Sequence, residues 1–234
     1  MASKIKLFED DFNPALYQNG GTRLDIELPM TRRVYRITGI SDILGSQPIN
    51  PDVHSAYVAS KAPIEQLSEI ETDALPDLDE KGVTVFLRNP KTGALCIRPY
   101  VLRGYFKESL ASLKEANGIG NVKSKVDRLL FIRPSYFIDF QRDGEPIIDC
   151  DEWCERPLRA QTMQGERSAL ARSELIRSGW QLTFEVQLLA NNGTKASKSV
   201  VFDAVEQALA YGQMQGLGQW RNGGNGRFIT ERLD

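Results

Sequence analysis

The chain has 234 residues, with 29 Lys and Arg against 31 Asp and Glu, one His, three Cys and a formal net charge of −2. That near balance excludes a polycation that coats nucleic acid with its whole surface, so any such role falls to a local basic face. Three cysteines (Cys96, Cys150, Cys154) are too few and too unevenly numbered for a secreted disulfide framework, and no apolar run reaches the ~18–20 residues of a membrane span, so a soluble, cytoplasmic protein with its own core is expected.

Residues 1–30 mix polar residues, Gly20–Gly21 and short apolar groups and read as an N-terminal extension, with 31–234 as a single domain. Val34–Ile40 sets Val34, Arg36 and Thr38 against Tyr35, Ile37 and Gly39, the period of a strand. A loop follows, then a predicted helix from Pro51–Asp52 to about Ser60. Between 64 and 80 stand seven acids and no base, the composition of a solvated helix and linker inserted in the domain.

Val83–Arg88 and Ala94–Tyr100 are predicted to form a hairpin around the turn formers of Asn89–Gly93. After Gly104 a helix is expected, with Phe106, Leu110 and Leu113 at helical spacing. Gly118–Lys125 reads as a basic loop, either a clamp over a strand or an ordinary connection. Leu129–Ile132 and Ser135–Phe140 read as strands around Pro134, residues 141–155 as loop, and Leu158–Leu170 as a hairpin with Gly165 near its tip. Trp180–Leu189 alternates as a strand, Val200–Met214 forms the last helix and Arg227–Leu233 the last strand. Strands and helices interspersed with hairpins predict an α+β fold on a largely antiparallel sheet.

The most informative segment is Gly216–Phe228, GLGQWRNGGNGRF. Gly216, Gly218, Gly224 and Gly226 fall as G-x-G, five residues, then G-x-G, among Arg221, Asn222, Asn225 and Arg227. Such a loop is expected to be rich in exposed N–H groups, which suits phosphate oxygens. The alternative is a tight helix-to-strand connection that binds nothing. Basic residues concentrate nearby: Arg98, Arg103, Lys107, Lys114, Lys123, Lys125, Arg128 and Arg133 face only three acids over 98–133, and the hairpin adds Arg156, Arg159, Arg167, Arg172 and Arg177. Tyr100, Tyr105, Phe106 and Trp220 lie among them, to stack bases if exposed or to fill the core if not.

The order of these pieces resembles the RAMP superfamily, RNA-recognition-motif-like proteins that form backbone and processing subunits of CRISPR effector complexes. The last helix, the glycine loop and the terminal strand match that superfamily's glycine-rich signature; Leu217 supplies the apolar residue inside the first glycine pair, Asn225 departs from it in the second, and Phe228 restores an apolar strand start. Val101–Leu110 is similar to its strand–Gly–helix segment, with Lys107 as the lysine at the helix start. Arg159–Val186, with its T-x-x-G turn, is similar to the hairpin before the last helix, and the first strand with ILGSQP to the family's first strand and turn.

The resemblance implies a ferredoxin-like (RRM-like) βαββαβ core with inserted β-hairpins. It further implies binding of single-stranded RNA or DNA, with RNA the first choice, and copies of the chain or other subunits side by side along the strand in a CRISPR-like or phage-encoded antiviral assembly. Gly216, Gly218, Gly224 and Gly226 would admit the strand. Lys107, Arg103, Arg159, Arg167, Arg221 and Arg227 would meet phosphates, and Trp220 would stack. Two alternatives are a metal-independent endoribonuclease and an assembly or inhibitor protein that keeps the fold without nucleic acid. In the first, His54, the only histidine, would be the general base. Asp42 or Asp52 could serve where members of the family cut with an aspartate near the first strand. Cys150 and Cys154 form one pair where structural zinc needs four soft ligands, and no G-x-x-x-x-G-K-[ST] loop occurs, so no metal and no cofactor is expected.

Overall fold

The computed structural model describes residues 28–48, 83–162, 165–190 and 198–234, with 157–162 and 165–170 as backbone only. The predicted helix at 51–60, the acidic insert at 64–80, His54, Asp52 and most of the N-terminal extension lie outside these residues. The chain folds as α+β with mostly antiparallel sheets.

In chain order the first strands are β1 (Met30–Gly39), β2 (Ile43–Leu44), β3 (Gln47–Pro48), β4 (Val83–Val85), β5 (Leu87–Arg88) and β6 (Leu95–Ile97). Helices α1 (Pro99–Ser112), α2 (Lys114–Asn117) and α3 (Val122–Leu129) follow, then β7 (Leu130–Arg133), β8 (Ile138–Asp139), β9 (Gln141–Arg142) and β10 (Glu145–Pro146). A long hairpin, β11 (Glu152–Thr162) and β12 (Gly165–Ile176), precedes β13 (Gln181–Leu189). Helices α4 (Phe202–Ala210) and α5 (Gly212–Gln215), a 3-10 turn at Arg221–Gly223 and β14 (Phe228–Arg232) complete the chain.

The main sheet runs β14-β1-β13-β7, every neighbouring pair antiparallel, with β9 and β10 extending it beside β13. Helices α1 to α3 lie on the connection from β1 to β7, and α4 and α5 on that from β13 to β14. Alternation decides the faces. Leu182, Phe184, Val186 and Leu188 of β13 are buried with Tyr35 and Ile37 of β1, Ile132 of β7 and Phe228 of β14. They share one core with Leu102, Phe106 and Leu110 of α1 and Val205 and Leu209 of α4. The opposite face carries Arg32 and Arg36, Glu185, Phe131 and Arg133, and Ile229 and Glu231, with Arg36 paired to Glu231 and Glu185 to Arg133 in register.

A second sheet has the order β11-β12-β4-β3, with β2 also on β12; β12 and β4 run parallel. The ladder of β11 and β12 runs from Glu152↔Leu175 to Thr162↔Gly165, so the T-x-x-G segment closes the hairpin as expected. Four sequence expectations change. The Asn89–Gly93 turn joins only β5 and β6, while β4 leaves for the second sheet. Pro99 starts α1 instead of ending a strand: its fixed φ suits the first helical position, and Arg98 before it is extended. Val122, Val126 and Leu129 bury one side of α3, so helical spacing underlies the basic composition of the expected loop. Residues 141–155 hold β9, β10 and the start of β11, strands too polar to announce themselves.

Candidate nucleic-acid interface

Trp180, fully buried, anchors the end of β1 from which the site is built. Its ring occupies the space a side chain on Gly39 would need, and its Nε1 donates to Ser41 O at 2.9 Å. Ser41 and Asp42 then hold the glycine loop. Gly226 N donates to Asp42 O at 2.6 Å, Arg227 N to Ser41 Oγ at 2.9 Å, and Ile40 N to Arg227 O at 2.8 Å.

Within the loop the two limbs close on each other. Leu217 N donates to Gly226 O at 2.8 Å and the Leu217 side chain enters the core. Gly216 (φ 72) and Gly226 (φ 71) have left-handed backbones, and a Cβ on either would strike the backbone of the opposite limb, at Asn225 O and at the Leu217 carbonyl. These glycines admit backbone to backbone. The N–H groups of Leu217, Gly223, Gly224, Gly226 and Arg227 already donate to protein oxygens. Those five N–H groups are spent within the protein and are not part of an exposed cradle.

That outer half is braced on both sides. Gln219 Nε2 donates to Thr84 Oγ1 at 2.6 Å, to Ser173 Oγ at 3.0 Å and to Gly45 O, tying the loop to β4 and β12. Trp220 has φ 52 and is 47 % exposed, with the Arg156 guanidinium 5.0 Å from the ring centroid. On the other side, Arg221 Nη1 meets Glu108 Oε2 of α1 at 2.5 Å, and Gln215 Nε2 donates to the same oxygen at 3.2 Å. Arg227 Nε donates to Gly224 O at 3.2 Å. Between α5 and the loop lies an open polar pocket of about 510 Å³, lined among others by Tyr211, Met214, Arg221, Asn222, Gly224 and Arg227. Burial pushes the Tyr105 phenol up to about 12, and its hydroxyl donates to Ala208 O at 2.5 Å, locking α1 to α4.

The structure thus brings Gly216, Gly218, Trp220, Arg221, Gly224, Gly226 and Arg227 into one element. Lys107 does not join them: its Nζ lies 2.5 Å from Asp127 Oδ1 of α3, and the neighbouring Glu108 reaches the loop instead. Arg103 is half-buried on α1, and its buried Nε has no acceptor. Arg159 and Arg167 stand on adjacent rungs near the hairpin tip. Tyr105 and Phe106 are core, which leaves Trp220 as the exposed ring at the loop. Asp42 accepts from Ser178 N at 2.9 Å, an anchoring contact. Cys150 and Cys154 are free thiols, with burial pushing that of Cys150 up, and among the described residues no three His, Cys, Asp or Glu converge on a metal site.

Sequence reasoning missed Glu108 as the partner of Arg221, and the row of Arg32, Arg36, Arg133 and exposed Phe131 and Ile229 on the open sheet face. Strand alternation was the available signal for that row: residues out of phase with Ile37 and Phe228 face away from the core. Comparison with protein-family models and with curated proteins returns no match. Among the described residues no helix is long and apolar enough to cross a membrane.

Proposed function

We propose that this chain is a non-catalytic, single-stranded nucleic-acid-binding protein of RAMP type, with RNA the preferred ligand, acting as a repeating subunit of a CRISPR-like or phage-encoded ribonucleoprotein. The strand order β14-β1-β13-β7, with helices on the β1–β7 and β13–β14 connections, supports a ferredoxin-like core, since that is the arrangement a βαββαβ chain adopts. The observation that carries the functional reading is the braced outer half of the glycine loop. Arg221, Asn222 and Arg227 line an open polar pocket there, and the exposed Trp220, next in the chain to Arg221, lies against the Arg156 guanidinium. A single strand is bound by that combination, charge following the phosphates and rings taking the bases.

Replacing Arg221 and Arg227 together by Glu tests it. Fluorescence anisotropy with a labelled 20-mer oligouridylate at two salt concentrations should show affinity lowered at least about tenfold, and the slope of log K against log salt reduced by about 1.4, at ~0.7 per phosphate on a single strand. Unchanged affinity at both salt concentrations would reject the assignment. The pairing of Arg221 with Glu108 and of Lys107 with Asp127 favours a second reading, an assembly or inhibitor protein that keeps the fold without nucleic acid. That reading predicts no binding by the unmodified chain in the same titration.

A further inference from the structure

Arg156 of β11 is 8 % exposed, yet among the described residues no carboxylate pairs with it. Its Nη1 donates to Ser173 Oγ at 3.2 Å, and its buried Nε has no acceptor. The surrounding hydroxyls cannot supply more. Ser173 Oγ and Thr84 Oγ1 lie 2.7 Å apart and both accept from Gln219 Nε2. A hydroxyl has one hydrogen and two lone pairs. Ser173 accepts from Arg156, and Gln219 Nε2 and Thr84 Oγ1 both stand within hydrogen-bond distance of its oxygen. Glu174 comes next along the strand and points to the other face, where Phe86 N and Arg88 Nη2 each donate to it at 2.7 Å.

A buried charge without a counter-charge is costly to a fold, and removing it for an apolar group of similar volume is neutral or stabilising. Trp220 covers this guanidinium. Its left-handed backbone, uncommon outside glycine, asparagine and aspartate, keeps the indole at the surface. Strain in Trp220 and a charge in Arg156 that no carboxylate of the described residues compensates meet at one place, and an incoming anion bearing a flat ring relieves the second while using the first.

We propose that Arg156 and Trp220 form a subsite for one base–phosphate step of a single strand: the base lies on the exposed part of the indole, and phosphate oxygens accept from the guanidinium Nη groups. Arg221 and Arg227 follow the backbone, whereas Arg156 is a charge held ready inside the protein. The proposal rests on the nucleic-acid reading above, and its test separates the two.

The variant is Arg156→Met, which keeps the length of the stem and removes the charge, read by quenching of Trp220 fluorescence and by anisotropy with 15-mer oligouridylate. Expected are an affinity about tenfold weaker, a salt slope smaller by about 0.7, and a urea midpoint equal to or above that of the unmodified protein. Arg156→Lys should recover part of the affinity, since it restores charge without the planar stack. With Arg156 retained, quenching should disappear in the Trp220→Leu variant. If Arg156→Met binds like the unmodified protein while the Arg221→Glu, Arg227→Glu variant is weakened, the subsite is wrong and the nucleic-acid reading stands. If the unmodified protein binds no oligonucleotide but Trp220 is quenched by poly-glutamate through Arg156, both are wrong and the site takes protein carboxylates.

Discussion

Gly226→Ala should be among the most damaging single-methyl changes this protein can receive. At φ 71 the backbone is left-handed, which costs a non-glycine residue about 1–2 kcal/mol. The new methyl would also overlap the Leu217 carbonyl, which is backbone and cannot swing aside. Separating the limbs stretches two hydrogen bonds, Leu217 N to Gly226 O and Gly226 N to Asp42 O, each contributing about 1 kcal/mol net. It also begins to withdraw Leu217, 2 % exposed, whose burial stabilises by about 2 kcal/mol. Partial loss of these contacts together with the backbone cost places the destabilisation at about 3–5 kcal/mol. Gly93→Ala is the control: φ is 73, but no atom lies within 4 Å of the added Cβ, so only the backbone cost of about 1–2 kcal/mol applies. Urea unfolding at constant m reads both. Equal midpoints for the two variants would refute the claim that close approach of the limbs is why glycine occupies this position.

Glu108→Gln should tighten binding of oligouridylate by about two- to fivefold, because Arg221 no longer divides itself between the carboxylate and a phosphate; an exposed pair of this kind is worth about 0.2–1 kcal/mol. An unchanged or weaker affinity would show that Glu108 does not compete. Asp151 accepts from Arg142 Nη2 at 2.7 Å and from Arg177 N at 2.7 Å, and these contacts, Arg142 first, hold its carboxyl below the usual 3.8. Its stabilisation is therefore complete above the ordinary carboxyl value and is lost as pH falls through the lowered one. The stability difference between the unmodified protein and Asp151→Asn, about 1 kcal/mol at pH 7, should shrink progressively as pH falls below the ordinary carboxyl range. A difference that grows on acidification would contradict the sign.

Elements whose local pattern and tertiary environment agree were legible in the sequence. β1, β13 and β14 alternate because each has one buried face, and Thr162 and Gly165 mark a hairpin whose ladder they close. Where two signals competed, the stronger one misled. Basic residues masked the Val122–Val126–Leu129 stripe of α3, and a strand-like run hid Pro99 as a helix start. The candidate loop was visible as a glycine pattern, but its physics was not. The same four glycines fit a phosphate cradle or a self-packed connector, and only the register of Leu217 against Gly226 distinguishes them. Charge position was equally hidden. Lys107 and Glu108 are neighbours in sequence but point to different elements, so which of them meets Arg221 depends on where α1 lies against α3 and the loop.

Binding at the glycine loop is a claim about where a strand would lie. Photocrosslinking of a 4-thiouridine 20-mer to the full chain, with the adducts mapped by peptide mass spectrometry, addresses that directly. Adducts on Trp220 and within 221–227 are predicted. Adducts confined to other surfaces, or none at saturating oligonucleotide, would contradict it.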